Sequence, residues 1–145
     1  MADRALVIVP TYNERFNVAR IIPAILAQDP CFEVLVVDDG SPDGTGAVVD
    51  AIAANNERVH IIPRESKLGL GTAYIAGFRW ALARKYDLIF EMDADFSHDP
   101  KFLGDFIRAA AGAHRDGSLG PAVLFHHGRK VEIVGGRPLD GDESL

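Results

Sequence analysis

Five apolar residues in a row, Ala5-Leu6-Val7-Ile8-Val9, run into Pro10. A run with no polar alternation is the pattern of a strand covered on both faces, as strands of a parallel sheet are. Val34-Leu35-Val36-Val37, Val59-His60-Ile61-Ile62 and Leu88-Ile89-Phe90-Glu91-Met92 repeat it. Between these runs the apolar spacing changes to that of helices. Residues 15–28 carry Val18, Ile21, Ile22, Ile25 and Leu26 on one stripe, with Thr11-Tyr12-Asn13-Glu14 at capping-box spacing before it. Pro23 lies inside that stripe and is expected to kink or split the helix. A second helix is predicted from Thr45 or Gly46 to about Asn55. A third is capped by Thr72 and reaches Lys85, with Ala73, Ala76, Gly77, Trp80 and Ala81 inward. A fourth is capped by Asp99 and opened by Pro100, with Phe102, Leu103, Phe106 and Ile107 as its buried stripe. Strands alternating with helices predict βα units feeding a mostly parallel sheet, an α/β fold. Beyond Ala111 the pattern loosens into an expected loop over residues 112–120, two candidate strands at 122–125 and 131–134, and a frayed tail over 135–145.

Composition narrows the function classes. A chain of 145 residues forms one domain and can bury roughly 68–70% of its unfolded surface. Its 48% apolar and 25% charged residues are those of a globular protein. With 15 basic against 21 acidic side chains the net charge is −6 and no basic face is concentrated in the sequence, which argues against a nucleic-acid partner. The single cysteine, Cys31, can form no internal disulfide and fits a reducing compartment. No apolar stretch approaches about 18 residues, and no signal peptide precedes the first strand, so the expected location is cytoplasmic, at most peripheral at a membrane face.

Polar residues gather after the strands: Thr11, Tyr12 and Glu14 after the first, Asp38 and Asp39 after the second, Asp93 and Asp95 after the fourth. In open α/β sheets ligands bind at that edge, where helix N-termini point. Carboxylates converging there repel one another, and a cation or ligand donors relieve the repulsion. In Asp93-x-Asp95 two carboxylates two residues apart can face the same way and share a hard cation such as Mg²⁺ or Mn²⁺ with diphosphate oxygens; otherwise they form a solvated turn before the next helix. Asp38 and Asp39 either bond their own turn or accept from a base or a ribose hydroxyl. Tyr12 offers a flat face for a nucleobase or is packing with a wet hydroxyl. Glu14 is a site residue or merely the capping partner of Thr11, and Lys67 either reaches a phosphate or is solvated.

Other chemistries are excluded. Gly69-Leu70-Gly71 has Tyr74 where a dinucleotide fingerprint needs its third glycine, and neither a P-loop nor a G-x-S-x-G elbow occurs. Cys31 has no local nucleophile signature, and His126-His127 lacks a third soft ligand at useful spacing and reads as a surface loop.

Four ordered blocks carry a resemblance: Val9-Pro10-Thr11-Tyr12-Asn13-Glu14, Val36-Val37-Asp38-Asp39-Gly40-Ser41-Pro42-Asp43-Gly44-Thr45, Lys67-Leu68-Gly69-Leu70-Gly71-Thr72-Ala73-Tyr74 and Met92-Asp93-Ala94-Asp95-Phe96-Ser97-His98-Asp99-Pro100. Together they closely resemble the family 2 glycosyltransferases, in particular the polyprenol-phosphate (dolichol-phosphate) mannosyltransferase group, over about residues 5–110. The resemblance implies an A-type glycosyltransferase fold, a Rossmann-like three-layer sandwich, with residues 1–111 as its nucleotide-sugar donor half and 112–145 as an irregular end. It implies transfer of mannose from GDP-mannose to a polyprenyl phosphate by an inverting single displacement, with a divalent metal on the diphosphate. Family members also use UDP-sugars, and a donor-binding module without turnover is the rival reading. Carried over by position, Pro10, Tyr12, Glu14, Asp39 and Asp38 are the nucleoside contacts. Lys67, Gly69 and Ala94 line the donor, and Asp93 and Asp95 are the catalytic metal-binding acids, Asp95 foremost. Ser97 stands where many relatives have a glutamine. Val131-Glu132-Ile133-Val134-Gly135-Gly136-Arg137 matches the family's next strand and turn, which makes Arg137 a candidate diphosphate contact; the acceptor half of the family pattern is missing from the carboxyl side.

Overall fold

The computed structural model describes residues 4–97, 99–115, 122–127 and 130–134. Its elements in chain order are β1 (Ala5–Thr11), α1 (Arg15–Leu26), β2 (Phe32–Asp38), α2 (Thr45–Ala54), β3 (Val59–Pro63), α3 (Leu70–Ala83), β4 (Leu88–Glu91), α4 (Lys101–Arg115), β5 (Ala122–His127) and β6 (Lys130–Val134). They build one six-stranded sheet of order β3-β2-β1-β4-β5-β6, parallel throughout except for β6, which runs antiparallel to β5.

The continuous apolar runs became strands because both faces of the sheet are covered. Ala5, Val7 and Val9 of β1 join Phe32, Val34 and Val36 of β2 and Leu88 and Phe90 of β4 in one core, closed by Val18, Ile21, Ile22 and Ile25 of α1, Val49 of α2, and Leu103 and Ile107 of α4. Leu6, Ile8, Leu35, Val37 and Ile89 face the other way and pack on Ala73, Phe78 and Ala81 of α3. Each such valine, leucine, isoleucine or phenylalanine taken from water stabilises the fold by about 1.5–3 kcal/mol. The layers are therefore three, with α1, α2 and α4 on one face and α3 on the other.

α3 approaches the sheet closely at Gly77, where a Cβ would lie 2.7 Å from Ile8 Cγ2 and 2.9 Å from its Cδ1. Gly77→Ala is expected to push α3 outward and cost roughly 1–3 kcal/mol, the usual penalty of overpacking a filled core, read as a lower urea midpoint at unchanged slope. An unchanged midpoint would show that the contact is slack.

Several local expectations need correction. α1 runs unbroken through Pro23, because Ile21, Ile22 and Ile25 are wholly buried and hold the turn in place. The capping box does not form: Thr11 belongs to β1 and its hydroxyl donates to Asp38 at 2.7 Å, while Glu14 occupies the N-cap. The N-terminus of α1 is instead satisfied from the loop after β2, with Asn13 N donating to Ser41 Oγ, Glu14 N to Thr45 Oγ1 and Arg15 N to Asp43 Oδ2. Thr72 lies inside α3, which starts at Leu70, and its hydroxyl donates back to the carbonyls of Leu68 and Gly69. Asp99 does cap the fourth helix, accepting from Lys101 N at 3.0 Å, but Phe102 is half exposed and leaves the buried stripe to Leu103 and Ile107. The expected loop at 112–120 begins later, since α4 continues to Arg115; the alanines around Gly112 are the strongest helix formers and offset one glycine at about 1 kcal/mol. His126 and His127 lie on β5, not in a loop, opposite Val131 and Lys130 of β6.

Candidate active site

The strand order reverses at β1, whose neighbours β2 and β4 lead in opposite directions. At such a switch point the loops leaving adjacent strands diverge and open a crevice at the carboxyl edge. A cleft of about 210 Å³ lies there, lined by Pro10, Thr11, Tyr12 and Glu14 from the end of β1, Asp39 after β2, Lys67 from the loop before α3, Leu70 and Ala73 of α3, and Asp93, Ala94 and Asp95 after β4. At the opposite edge the charges are already paired: Glu33 accepts from Arg4, from Tyr86 at 2.9 Å, and contacts His60 Nε2 at 2.8 Å.

Of the sequence-predicted residues the structure thus gathers Pro10, Tyr12, Glu14, Asp39, Lys67, Asp93, Ala94 and Asp95 in one place. Asp38 and Gly69 do not line the cleft. Asp38, nearly fully buried, takes Thr11 Oγ1, Ser41 Oγ and Ser41 N on its two oxygens and so knits β1 to the following turn. Gly69 caps α3 with φ +104. Arg137 lies outside the described residues. Lys67 places its ammonium 4.8 Å from the ring centre of Tyr12, a cation–π contact at the cleft mouth.

Sequence reading missed three side chains that shape this cleft. Arg64 bonds Asp39 through Nε at 2.5 Å, with both side chains about nine-tenths buried, and also donates to Thr72 Oγ1 and the Gly69 carbonyl. It therefore ties the end of β2 to the start of α3 across the loop that bears Lys67. Gly40 makes this possible, for at φ +67 a Cβ there would stand 2.7 Å from the Glu65 carbonyl oxygen. No sequence signal distinguished Arg64 from an ordinary solvated loop cation.

The second is Glu91, the last residue of β4, only 6% exposed and with Oε1 unpartnered. Burial, with the nearby Asp93 charge adding to it, pushes its carboxyl from the ordinary 4.5 up to about 8. At neutral pH it is a neutral acid, so the carboxylates presented to the cleft end of β4 are those of Asp93 and Asp95. An acidic residue inside an otherwise apolar strand was the signal available in the sequence. The third is Tyr74, whose hydroxyl donates to Asp93 Oδ1 at 3.3 Å. Burial and the Asp93 and Glu91 carboxyls raise its ionisation far above the usual range, so it remains an O–H donor.

A divalent cation fits this donor set. Asp93 and Asp95 offer hard carboxylate oxygens on the cleft wall, and among the described residues no three histidine, cysteine or acidic side chains are close enough together to hold a metal ion by themselves. Two protein carboxylates with the remaining positions left to ligand oxygens and water is the coordination Mg²⁺ and Mn²⁺ favour.

A family model, Glycosyl transferase family 2, matches residues 6–131. The chain belongs to this family. Among curated family members it is 54% identical over 113 residues to the polyprenol monophosphomannose synthase of Mycolicibacterium smegmatis, a match covering 77% of this chain and 43% of that protein. It is 49% identical over 110 residues to the undecaprenyl-phosphate mannosyltransferase of Micrococcus luteus, covering 76% and 45%. The chain thus spans less than half the length of these relatives. Among solved structures it resembles a mannosyltransferase from Pyrobaculum calidifontis in complex with GDP-Man and Mn²⁺, with TM-score 0.57 and 30% identity over 66% of this chain and 28% of that one. The three-layer α/β architecture is that of the A-type glycosyltransferases. Among the described residues no helix is long and apolar enough to cross a membrane.

Proposed function

We propose that this chain is the donor-binding half of an inverting, metal-dependent mannosyltransferase that moves mannose from GDP-mannose to a polyprenyl phosphate, with residues 1–111 supplying the donor site. The observation that carries the reading is the convergence of Tyr12, Asp39, Lys67, Asp93 and Asp95 on one cleft at the switch point of the sheet. The names of the two curated relatives support the mannosyl and polyprenyl assignment. The solved mannosyltransferase, by its title, holds GDP-Man and Mn²⁺ together.

In this reading Tyr12 stacks on the base and Asp39, one oxygen of which Arg64 occupies, accepts from base or ribose with the other. Lys67 moves from the Tyr12 face to a phosphate oxygen. Asp93 and Asp95 hold Mg²⁺ or Mn²⁺, which when bound supplies neutralisation of the charge developing on the departing diphosphate. Arg137 adds a diphosphate contact. The acceptor, a phosphate monoester, is largely dianionic at neutral pH because its second pKa is near 6. It needs no strong general base, and the chain's contribution is alignment and electrostatics. A lipid acceptor brings the protein to a membrane face as a peripheral partner.

The rival reading is a donor-binding module without turnover. Calorimetric titration with GDP-mannose, once with Mn²⁺ and once with EDTA, tests the site: binding confined to the Mn²⁺ arm is expected. Equal affinity in both arms removes the metal, and no heat in either removes the donor. UDP-glucose in the same cell tests nucleotide choice, and adding a short polyprenyl phosphate separates transferase from module by the appearance of lipid-linked mannose.

A further inference from the structure

We propose that Tyr74 is a positioning residue for Asp93: its hydroxyl pins one carboxylate oxygen and leaves the other to the cleft, so that α3 sets the cation affinity of the β4 end. The inference rests on the metal-binding reading of Asp93 above. Three observations place Tyr74 there. Its ring is half buried against the core beneath α3, which fixes where the hydroxyl can reach. Gly77, one turn further along α3, lets the helix settle directly on Ile8, whose strand partner in register is Glu91. That seating brings the Tyr74 hydroxyl to within 3.3 Å of Asp93 Oδ1.

Asp93 is otherwise poorly constrained, since it lies just past the last strand residue and only half buried. A carboxylate free to rotate loses entropy when a cation fixes it; one already held by a donor loses less, and the outer partners of metal-binding carboxylates are known to matter for that reason. The 3.3 Å separation is long for an O–H donor, and hydrogen bonds at such sites commonly tighten once ligand is bound.

The test is Mn²⁺ titration of the metal-free protein in the presence of GDP, followed by the electron-spin signal of free Mn²⁺, on wild type, Tyr74→Phe, Asp93→Asn and the double variant. Tyr74→Phe keeps the ring and is expected to weaken Mn²⁺ binding roughly ten- to a hundredfold with thermal midpoint unchanged. The double variant is expected to bind no worse than Asp93→Asn alone, because the hydroxyl acts only through that carboxylate. Wild-type affinity in Tyr74→Phe, or additive losses in the double variant, overturns the positioning role while leaving the metal site standing. Failure of the wild type itself to bind Mn²⁺ with GDP overturns the metal reading and this inference with it.

Discussion

Asp95→Ala is expected to abolish cation-dependent binding of GDP-mannose while leaving the fold at its normal stability. The two effects separate because of where the residue sits. Asp95 is exposed, beyond the last residue of β4, and its described hydrogen bond is a local one, Oδ1 accepting from Ser97 N at 2.9 Å. Substitution at an exposed turn position of this kind usually changes stability by no more than about 0.5 kcal/mol. For the cation the arithmetic is different. With Asp93 and Asp95 as the two carboxylates proposed to hold the cation, removing Asp95 takes away half of the protein's charged ligands and leaves the rest of the coordination to water and donor oxygens. Calorimetry with Mn²⁺ present should show donor affinity fall to the level of the EDTA arm, and circular dichroism should show an unchanged melt. Retained affinity would mean that the Asp93-x-Asp95 turn is what the sequence equally permitted, a solvated lead into α4.

Which parts of this arrangement were legible follows from how far apart the interacting residues lie. β1, β2 and β4 announce themselves because burial on both faces forces uninterrupted apolar runs, and a run of that kind is a local property of the chain. The carboxyl-edge placement of Tyr12, Asp39 and Asp93 follows from it directly, since the residue that ends a parallel strand is the one that reaches the ligand edge. The N-terminus of α1 was not legible, because its donors are met by Ser41, Asp43 and Thr45, about thirty residues downstream and adjacent only once β2 lies beside β1. The capping-box spacing at Thr11 was a true local pattern overridden by a tertiary one: Asp38, brought alongside by the register Thr11 to Asp38, is a stronger partner for that hydroxyl. The adjacent aspartates could have been told apart, for extended residues point to opposite sides. Asp38 turns into the protein as a brace for the loop, and Asp39 lines the cleft with Arg64 at its flank. Arg64 itself could not be foreseen, because its charged partner Asp39 lies 25 residues upstream and meets it only once the loop before α3 folds back onto the end of β2.

Glu91 makes the cost of building this site measurable. In the metal-free protein its carboxyl titrates near 8, held up first by burial and then by Asp93, against 4.5 in the ordinary state. Between those two values the unfolded chain has released a proton that the folded chain still holds. Stability therefore falls as pH rises through this window, by at most about 1.4 kcal/mol per pH unit, is fully present below 4.5, and levels off once the folded carboxyl also ionises above about 8. Glu91→Gln removes the titration while keeping the size and neutrality the buried position has at low pH. Urea melts of both proteins in EDTA should thus nearly coincide at pH 5 and diverge by pH 9, with the Gln variant the more stable by the order of a few kcal/mol. Parallel stabilities across that range would show that Glu91 ionises freely and that water reaches it. Divergence that narrows when Mn²⁺ and GDP replace EDTA would follow from the same electrostatics. A cation held by Asp93 and Asp95 would offset the Asp93 charge while burial still favours the neutral acid, so ligand binding and the charge of Glu91 are expected to be linked through Asp93.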